Sequence, residues 1–186
     1  IHEDGKSPSE LSRKDEIFIS DHGLISIAGG KLTGYRKMAE RTVDLAFRQL
    51  EAEEKRQFAL SRSSSRKLSG GLFHSFKAFV SEVGETTLTE LQLSGLFHKY
   101  GSNALEIISS VDLKNEDRTL AILLAEIRYS SENEMLNELS DFLIRRTGRL
   151  YFEKPIADKY AVALNTELAL LLGLNETESK ASLQTY

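Results

Sequence analysis

Apolar positions along the chain follow a strand period first and a helix period afterwards. Glu16-Ile17-Phe18-Ile19 and Leu24-Ile25-Ser26-Ile27 are short runs rich in β-branched residues. Ser20-Asp21-His22-Gly23 separates them and ends in glycine, so the pair predicts a β-hairpin with His22 as a solvated residue at its tip. From Tyr35 the spacing becomes helical. Tyr35, Met38, Ala39, Thr42, Val43, Ala46, Phe47 and Leu50 share one face of a long amphipathic helix, with Thr33 as its expected N-cap. That stripe, Tyr35 and Met38 included, reads as core.

Ser61-Arg62-Ser63-Ser64-Ser65-Arg66-Lys67 is serine-rich and basic, and Gly70-Gly71 follows it; together they read as a solvated linker. Beyond it every periodic segment is helical. Phe73, Phe76, Val80 and Val83 share a face that stops at Gly84. Thr87 with Glu90 forms an expected capping box for a helix carrying Leu93, Leu96, Phe97 and Tyr100 up to Gly101. Ser102 is the expected cap of a short helix containing Leu105 and Ile108. Leu120, Leu123, Leu124 and Ile127 mark another helix; Met135, Leu136, Leu139, Phe142 and Leu143 mark one ending at Gly148. Ile156, Tyr160, Ala163, Leu164, Leu168, Leu171 and Leu172 share a long stripe closed by Gly173, and Asn175 with Glu178 opens a last short helix. The expected fold is mainly α: a multi-helix domain preceded by a short hairpin and a long helix. No polar pair in the helical portion calls for a chemical explanation, and Arg145 and Arg146 read as outward faces.

Composition narrows the function. At 186 residues and 40% hydrophobic the chain can bury a core, and a net charge of −4 argues against a nucleic-acid partner. Absence of cysteine excludes disulfides and thiolate chemistry, and His2, His22, His74 and His98 lack metal-ligand spacing. The most apolar stretch, residues 161–174, is too short for a membrane span and contains Asn165, Thr166 and Glu167. The chain opens at Ile1, with no signal-peptide pattern, and reads as a piece of something longer.

The candidate chemistry sits where the two periods meet. Ile27-Ala28-Gly29-Gly30-Lys31-Leu32-Thr33-Gly34 places a lysine between a glycine pair and a helix start. A Walker A loop is excluded, because Ile25 stands where its first glycine belongs and Leu32 where Ser or Thr should follow. Glycines at 29, 30 and 34 do not fit the G-x-G-x-x-G fingerprint either. Unpaired amides at a helix start, glycines lacking a Cβ, and the Lys31 charge nevertheless point to an anion, with a purely structural Gly-Gly turn as the alternative.

Gly29-Gly30-Lys31-Leu32-Thr33-Gly34-Tyr35-Arg36-Lys37-Met38-Ala39-Glu40 resembles the end of the flavin domain in FAD-dependent glycerol-3-phosphate dehydrogenases and the related α-glycerophosphate oxidases. Ser12-Arg13-Lys14-Asp15-Glu16-Ile17 precedes it as that family's Ser/Thr-Arg segment does. Tyr100-Gly101-Ser102-Asn103, Ala125-Glu126-Ile127-Arg128-Tyr129 and Arg145-Arg146-Thr147 resemble stretches of its C-terminal helical domain.

The resemblance implies that residues 1–60 end the flavin domain, 61–71 link, and 72–186 form the helical C-terminal domain. It implies a parent enzyme that oxidises sn-glycerol 3-phosphate to dihydroxyacetone phosphate by hydride transfer to FAD, with electrons passed to membrane quinone. FAD would be held mainly outside this chain, and the isolated chain would be inactive. Gly29, Gly30, Lys31, Leu32 and Thr33 would face the cofactor; Lys31 and Arg13 would contact the substrate. No catalytic residue is assigned within the chain, no metal is implied, and the oligomeric state stays open. The parent would be cytoplasmic, or peripheral at the inner face of the membrane. An oxidase that reduces oxygen and a non-catalytic helical interaction module are the alternatives.

Overall fold

Alternating β-branched residues form strands β1 (Asp15–Ile19) and β2 (Ile25–Gly29), antiparallel, with Ile17 opposite Ile27. The computed structural model describes residues 15–55 and 57–184, so Arg13 and His2 lie outside the described residues. The hairpin turn closes through Ser20, whose N–H donates to the Leu24 carbonyl and whose carbonyl accepts from Gly23. Gly23 has φ 81°, a left-handed conformation that glycine adopts without a Cβ clash.

A 3₁₀ turn (Leu32–Gly34) leads into α1 (Tyr35–Glu54), which ends at a left-handed Lys55. Thr33 is therefore not the N-cap. The inserted turn places it one residue too early, and Gly34 occupies the cap without a side-chain hydrogen bond. Nor is the α1 stripe a finished core. Met38, Thr42, Ala46, Phe47 and Leu50 are half-buried, but Tyr35 is 62% and Val43 45% exposed. The segment after α1 folds back on it: Phe58 stacks on Phe47 with ring centroids 4.3 Å apart, and Arg36 Nη1 donates to Ser63 Oγ.

The described residues fall into two compact units, divided between Lys67 and Leu68. The second is all helical: α2 (Phe76–Val83), α3 (Glu90–Tyr100), α4 (Ala104–Ser109), α5 (Arg118–Asn133), α6 (Arg149–Phe152), α7 (Lys154–Leu172) and α8 (Glu176–Gln184). Its glycine-containing start is built into it. The Gly70 carbonyl accepts from Ser102 N–H at 2.8 Å, and a Cβ on Gly101 would stand 2.0 Å from that same oxygen.

Helix ends follow local chemistry. Ser75 caps α2, Asp117 caps α5, and Asn175 with Glu178 forms a reciprocal box at the start of α8. The α3 box is Thr89 with Gln92 rather than Thr87 with Glu90. Both pairs have capping-box spacing; Leu88 turns inward to 6% exposure, so the chain is not yet helical there. Ser102 caps nothing: it is buried in a 3₁₀ turn (Gly101–Asn103) that runs into α4. The helix expected from Met135 starts later. Met135 is left-handed and 81% exposed, and a π-helical turn (Asp141–Arg146) follows.

Helix α5 is the shared wall of two apolar cores. Ala121, Ala125 and Tyr129 face Phe79, Leu93, Leu96 and Ile107; Leu123 and Ile127 face Leu139, Phe142, Leu164 and Leu168. Each fully buried aliphatic side chain contributes roughly 1.5–3 kcal/mol.

Candidate functional site

The corner around Lys31 is set by backbone geometry. Gly29 and Gly30 have φ 81° and 92°, values an L side chain rarely adopts, and they turn the chain out of β2. Lys31 is extended, at φ −81° and ψ 141°, and its carbonyl accepts from Gly34 N–H at 2.8 Å. Leu32 is 89% exposed, and Gly29, Lys31 and Thr33 are exposed too, so a run of backbone without bulky cover faces outward. The 3₁₀ turn uses the amides of Gly34 and Tyr35 internally, which leaves fewer open N–H groups than an α-helix start would offer.

Electrostatics single out one cation here. Arg36 and Lys37 both pair with Glu40, and Arg41 pairs with Asp15. Hydrogen bonding from Lys37, then from Arg36, holds the Glu40 carboxyl below its ordinary range. Lys31 makes no ion pair or side-chain hydrogen bond among the described residues. An exposed, unneutralised ammonium beside glycine backbone suits a small anion or the electron-rich edge of a ring. The sequence-derived set Gly29, Gly30, Lys31, Leu32 and Thr33 is thus contiguous on one corner.

One polar cluster was not anticipated from the sequence. Glu126 on α5 is fully buried and accepts from Arg149 Nη2 at 2.7 Å, with Lys99 Nζ 3.5 Å from its other oxygen. The expectation that the helical portion holds no polar pair needing explanation is therefore corrected. A glutamate within the apolar run of α5 must be paired if it is to stay charged. Tyr100 Oη is buried nearby and, among the described residues, makes no hydrogen bond of ordinary geometry; burial pushes its phenol pKa up, and the Glu126 charge adds to the rise. Glu126, Lys99 and Arg149 border a cleft of about 270 Å³, walled by Leu91, Leu96 and Ile156. With both cations on Glu126, the cluster ties three helices together. Arg145 and Arg146 are tied as well, Arg145 to Asp141 and Glu138, Arg146 to the Glu134 carbonyl. Among the described residues no helix is long and apolar enough to cross a membrane.

Comparison with known proteins sets this geometry in a family. A family model described as the C-terminal domain of alpha-glycerophosphate oxidase matches residues 61–179. The aerobic glycerol-3-phosphate dehydrogenase of Bacillus subtilis (strain 168) is 46% identical over 164 residues, covering 82% of this chain and 30% of that protein. The protein of the same name from Staphylococcus haemolyticus (strain JCSC1435) is 41% identical over 187 residues, covering 96% of this chain and 34% of its own. An X-ray structure of the glycerol-3-phosphate dehydrogenase from Bacillus halodurans, complexed with FAD, superimposes with a TM-score of 0.69 at 31% identity. That match covers 91% of this chain and 36% of the other. The chain spans about one third of the length of these relatives. With most of the helical unit inside the matched region, the chain belongs to the family of the C-terminal domain of alpha-glycerophosphate oxidase.

Proposed function

We propose that this chain is the C-terminal portion of an FAD-dependent dehydrogenase that oxidises sn-glycerol 3-phosphate to dihydroxyacetone phosphate. The observation that carries the proposal is Lys31, unpaired among the described residues, on an exposed glycine corner within a chain whose relatives bear that enzyme's name. The segment through residue 60 belongs to the flavin domain, and the helical unit is an appended domain. Full enclosure of a dinucleotide needs more than the two strands described here, so the cofactor is held mainly by the rest of the protein.

The corner residues fit one edge of a flavin. Gly29 and Gly30 carry no Cβ and permit close approach, and Leu32 and Thr33 continue the exposed backbone. FAD, when bound, supplies the acceptor for the hydride of substrate carbon 2. Lys31 stabilises negative charge that develops at that edge and reaches the substrate's oxygens. Arg13, outside the described residues, is the proposed partner of the substrate phosphate, where a guanidinium fork fits. Electrons then pass to membrane quinone, with the protein cytoplasmic or peripheral at the inner membrane face.

Steady-state kinetics on the full-length, flavin-containing protein tests this reading. Lys31→Ala removes a charged donor from a partly desolvated anion, a loss of about 1.5–3 kcal/mol, or roughly ten- to hundredfold in kcat/KM. Arg36→Ala and Lys37→Ala, already paired with Glu40, lose far less. A Lys31→Ala enzyme within about threefold of wild type ends the claim. Stoichiometric peroxide formation in the same assay, without quinone, makes the protein an oxidase instead.

A further inference from the structure

Met38 stands behind the corner. A Cβ built on Gly30 would lie 2.6 Å from the Met38 Sδ and 2.8 Å from its Cε, while one on Gly34 would lie 3.8 Å from the same sulfur. The thioether therefore fills the place a Gly30 side chain would take and lies on the same side as Gly34, the two glycines that bracket Lys31, Leu32 and Thr33. The third wall is Asp15, whose Cβ would come within 3.3 Å of a Gly30 Cβ and whose carboxylate is held by Arg41 of α1. Met38 is itself fixed in α1, where its carbonyl accepts from Thr42 Oγ1 at 3.0 Å. The loop that presents Lys31 thus has its Gly30 end backed by one sulfur and its flank on an ion pair between β1 and α1.

We propose that Met38 is the positioning residue for Lys31: its thioether, seated behind Gly30, sets where the ammonium stands. The inference rests on the reading that Lys31 serves the reaction. Met38 touches no substrate and acts through the loop alone. A thioether suits this place, because it is soft and adapts its shape to the narrow space over a glycine. Truncation to alanine empties the space behind Gly30 and frees that end of the loop. Misplacement by about 1 Å of a group that contacts the reacting centre is enough to cost up to a hundredfold.

A double-mutant cycle on the full-length, flavin-containing protein tests it. Met38→Ala and Met38→Leu are each made alone and in the Lys31→Ala background, with glycerol 3-phosphate as substrate. Met38→Ala alone should lower kcat/KM about tenfold, and in the Lys31→Ala background should change it less than about twofold, because the group it positions is gone. Met38→Leu, close in volume, should recover most of the loss. Titration of the apoprotein with FAD, followed by flavin fluorescence, gives a readout independent of turnover. Affinity should fall in Met38→Ala, since the same loop borders the cofactor, and be restored in Met38→Leu. Equal losses in both backgrounds, or an unchanged Met38→Ala enzyme beside an impaired Lys31→Ala one, overturn this inference and leave the assignment of Lys31 standing. A silent Lys31→Ala overturns that assignment instead, and this inference with it. Should Met38→Ala fail to fold, Met38→Val, which ends short of the sulfur but keeps more bulk near the helix, goes through the same cycle with the same expectations.

Discussion

Arg149 donates from Nη2 to Glu126 Oε2 at 2.7 Å across the seam between the two apolar cores, with the side chains 8% and 0% exposed. Removal of Glu126 leaves the buried Arg149 with Glu153 at 2.9 Å, and removal of Arg149 leaves the buried Glu126 with Lys99 at 3.5 Å; loss of a buried partner costs up to about 3–5 kcal/mol, while replacement of both by apolar residues of similar volume is far milder. Urea denaturation should therefore show Glu126→Ala and Arg149→Ala each losing that much, and Glu126→Leu with Arg149→Met losing less than either. A single substitution that costs under about 1 kcal/mol would mean the pair contributes no more than a surface bridge.

The contact of Gly70 with Gly101 forbids a side chain. At Gly101 a Cβ meets a backbone carbonyl at 2.0 Å and φ is already 57°. Gly173 has a similar φ of 65° but open space around it. Gly173→Ala should cost about 1 kcal/mol from conformation alone, and Gly101→Ala clearly more, because the Gly70 carbonyl must move. Thermal melts of the two variants compare them directly; equal shifts would remove the steric part of this account.

Both apolar cores are formed by residues from Phe73 onward. A protein beginning at Leu68 should fold alone and melt cooperatively by circular dichroism, since its helices bury their stripes on one another. A broad, non-cooperative melt would show that the first unit is needed.

Asp117 accepts from Tyr160 Oη at 2.7 Å, caps α5 through Leu120 N–H and lies 3.4 Å from Lys159 Nζ. The Tyr160 hydrogen bond, then the Leu120 amide, hold its carboxyl below the ordinary aspartate range. A folded-state pKa below the unfolded one contributes stability that is complete above the unfolded value, near pH 4, and is lost as pH falls through the folded value. Melting temperature should thus drop on acidification below about pH 4 in wild type, and drop less steeply in Asp117→Asn, which keeps a capping oxygen without the charge. Parallel pH profiles for the two proteins would contradict this.

Much of the architecture was legible in the residue pattern, and the misses share a cause. The hairpin, α1, and the stripes of α3, α5 and α7 follow periodicity alone, since one face of each must meet apolar neighbours. Thr87 and Thr89 both satisfy a capping pattern, and only the inward turn of Leu88 chooses between them. Tyr35 and Val43 lie on an apolar stripe yet stay exposed, because periodicity marks a face and says nothing of what covers it. Lys31 with its glycines was visible as one contiguous motif. Glu126 was not, although a lone carboxylate between Ala125 and Ile127, both fully buried, is a signal that a cation must come from elsewhere. Neither Arg149, 23 residues away, nor the seat of Met38 on Gly30 has a local signature.

The double duty of α5 limits how the helical unit can change length. One residue inserted into α5 rotates everything after it by about 100°. Downstream of such an insertion Tyr129 and Ile127 would leave their respective cores, and Glu126 would swing away from both Arg149 and Lys99. No compensating shift can satisfy two cores and an ion pair on three different sides of one rod. Length variation among members of this family should therefore collect in the connections, such as residues 110–116 and 134–138, while α5 keeps its spacing residue for residue.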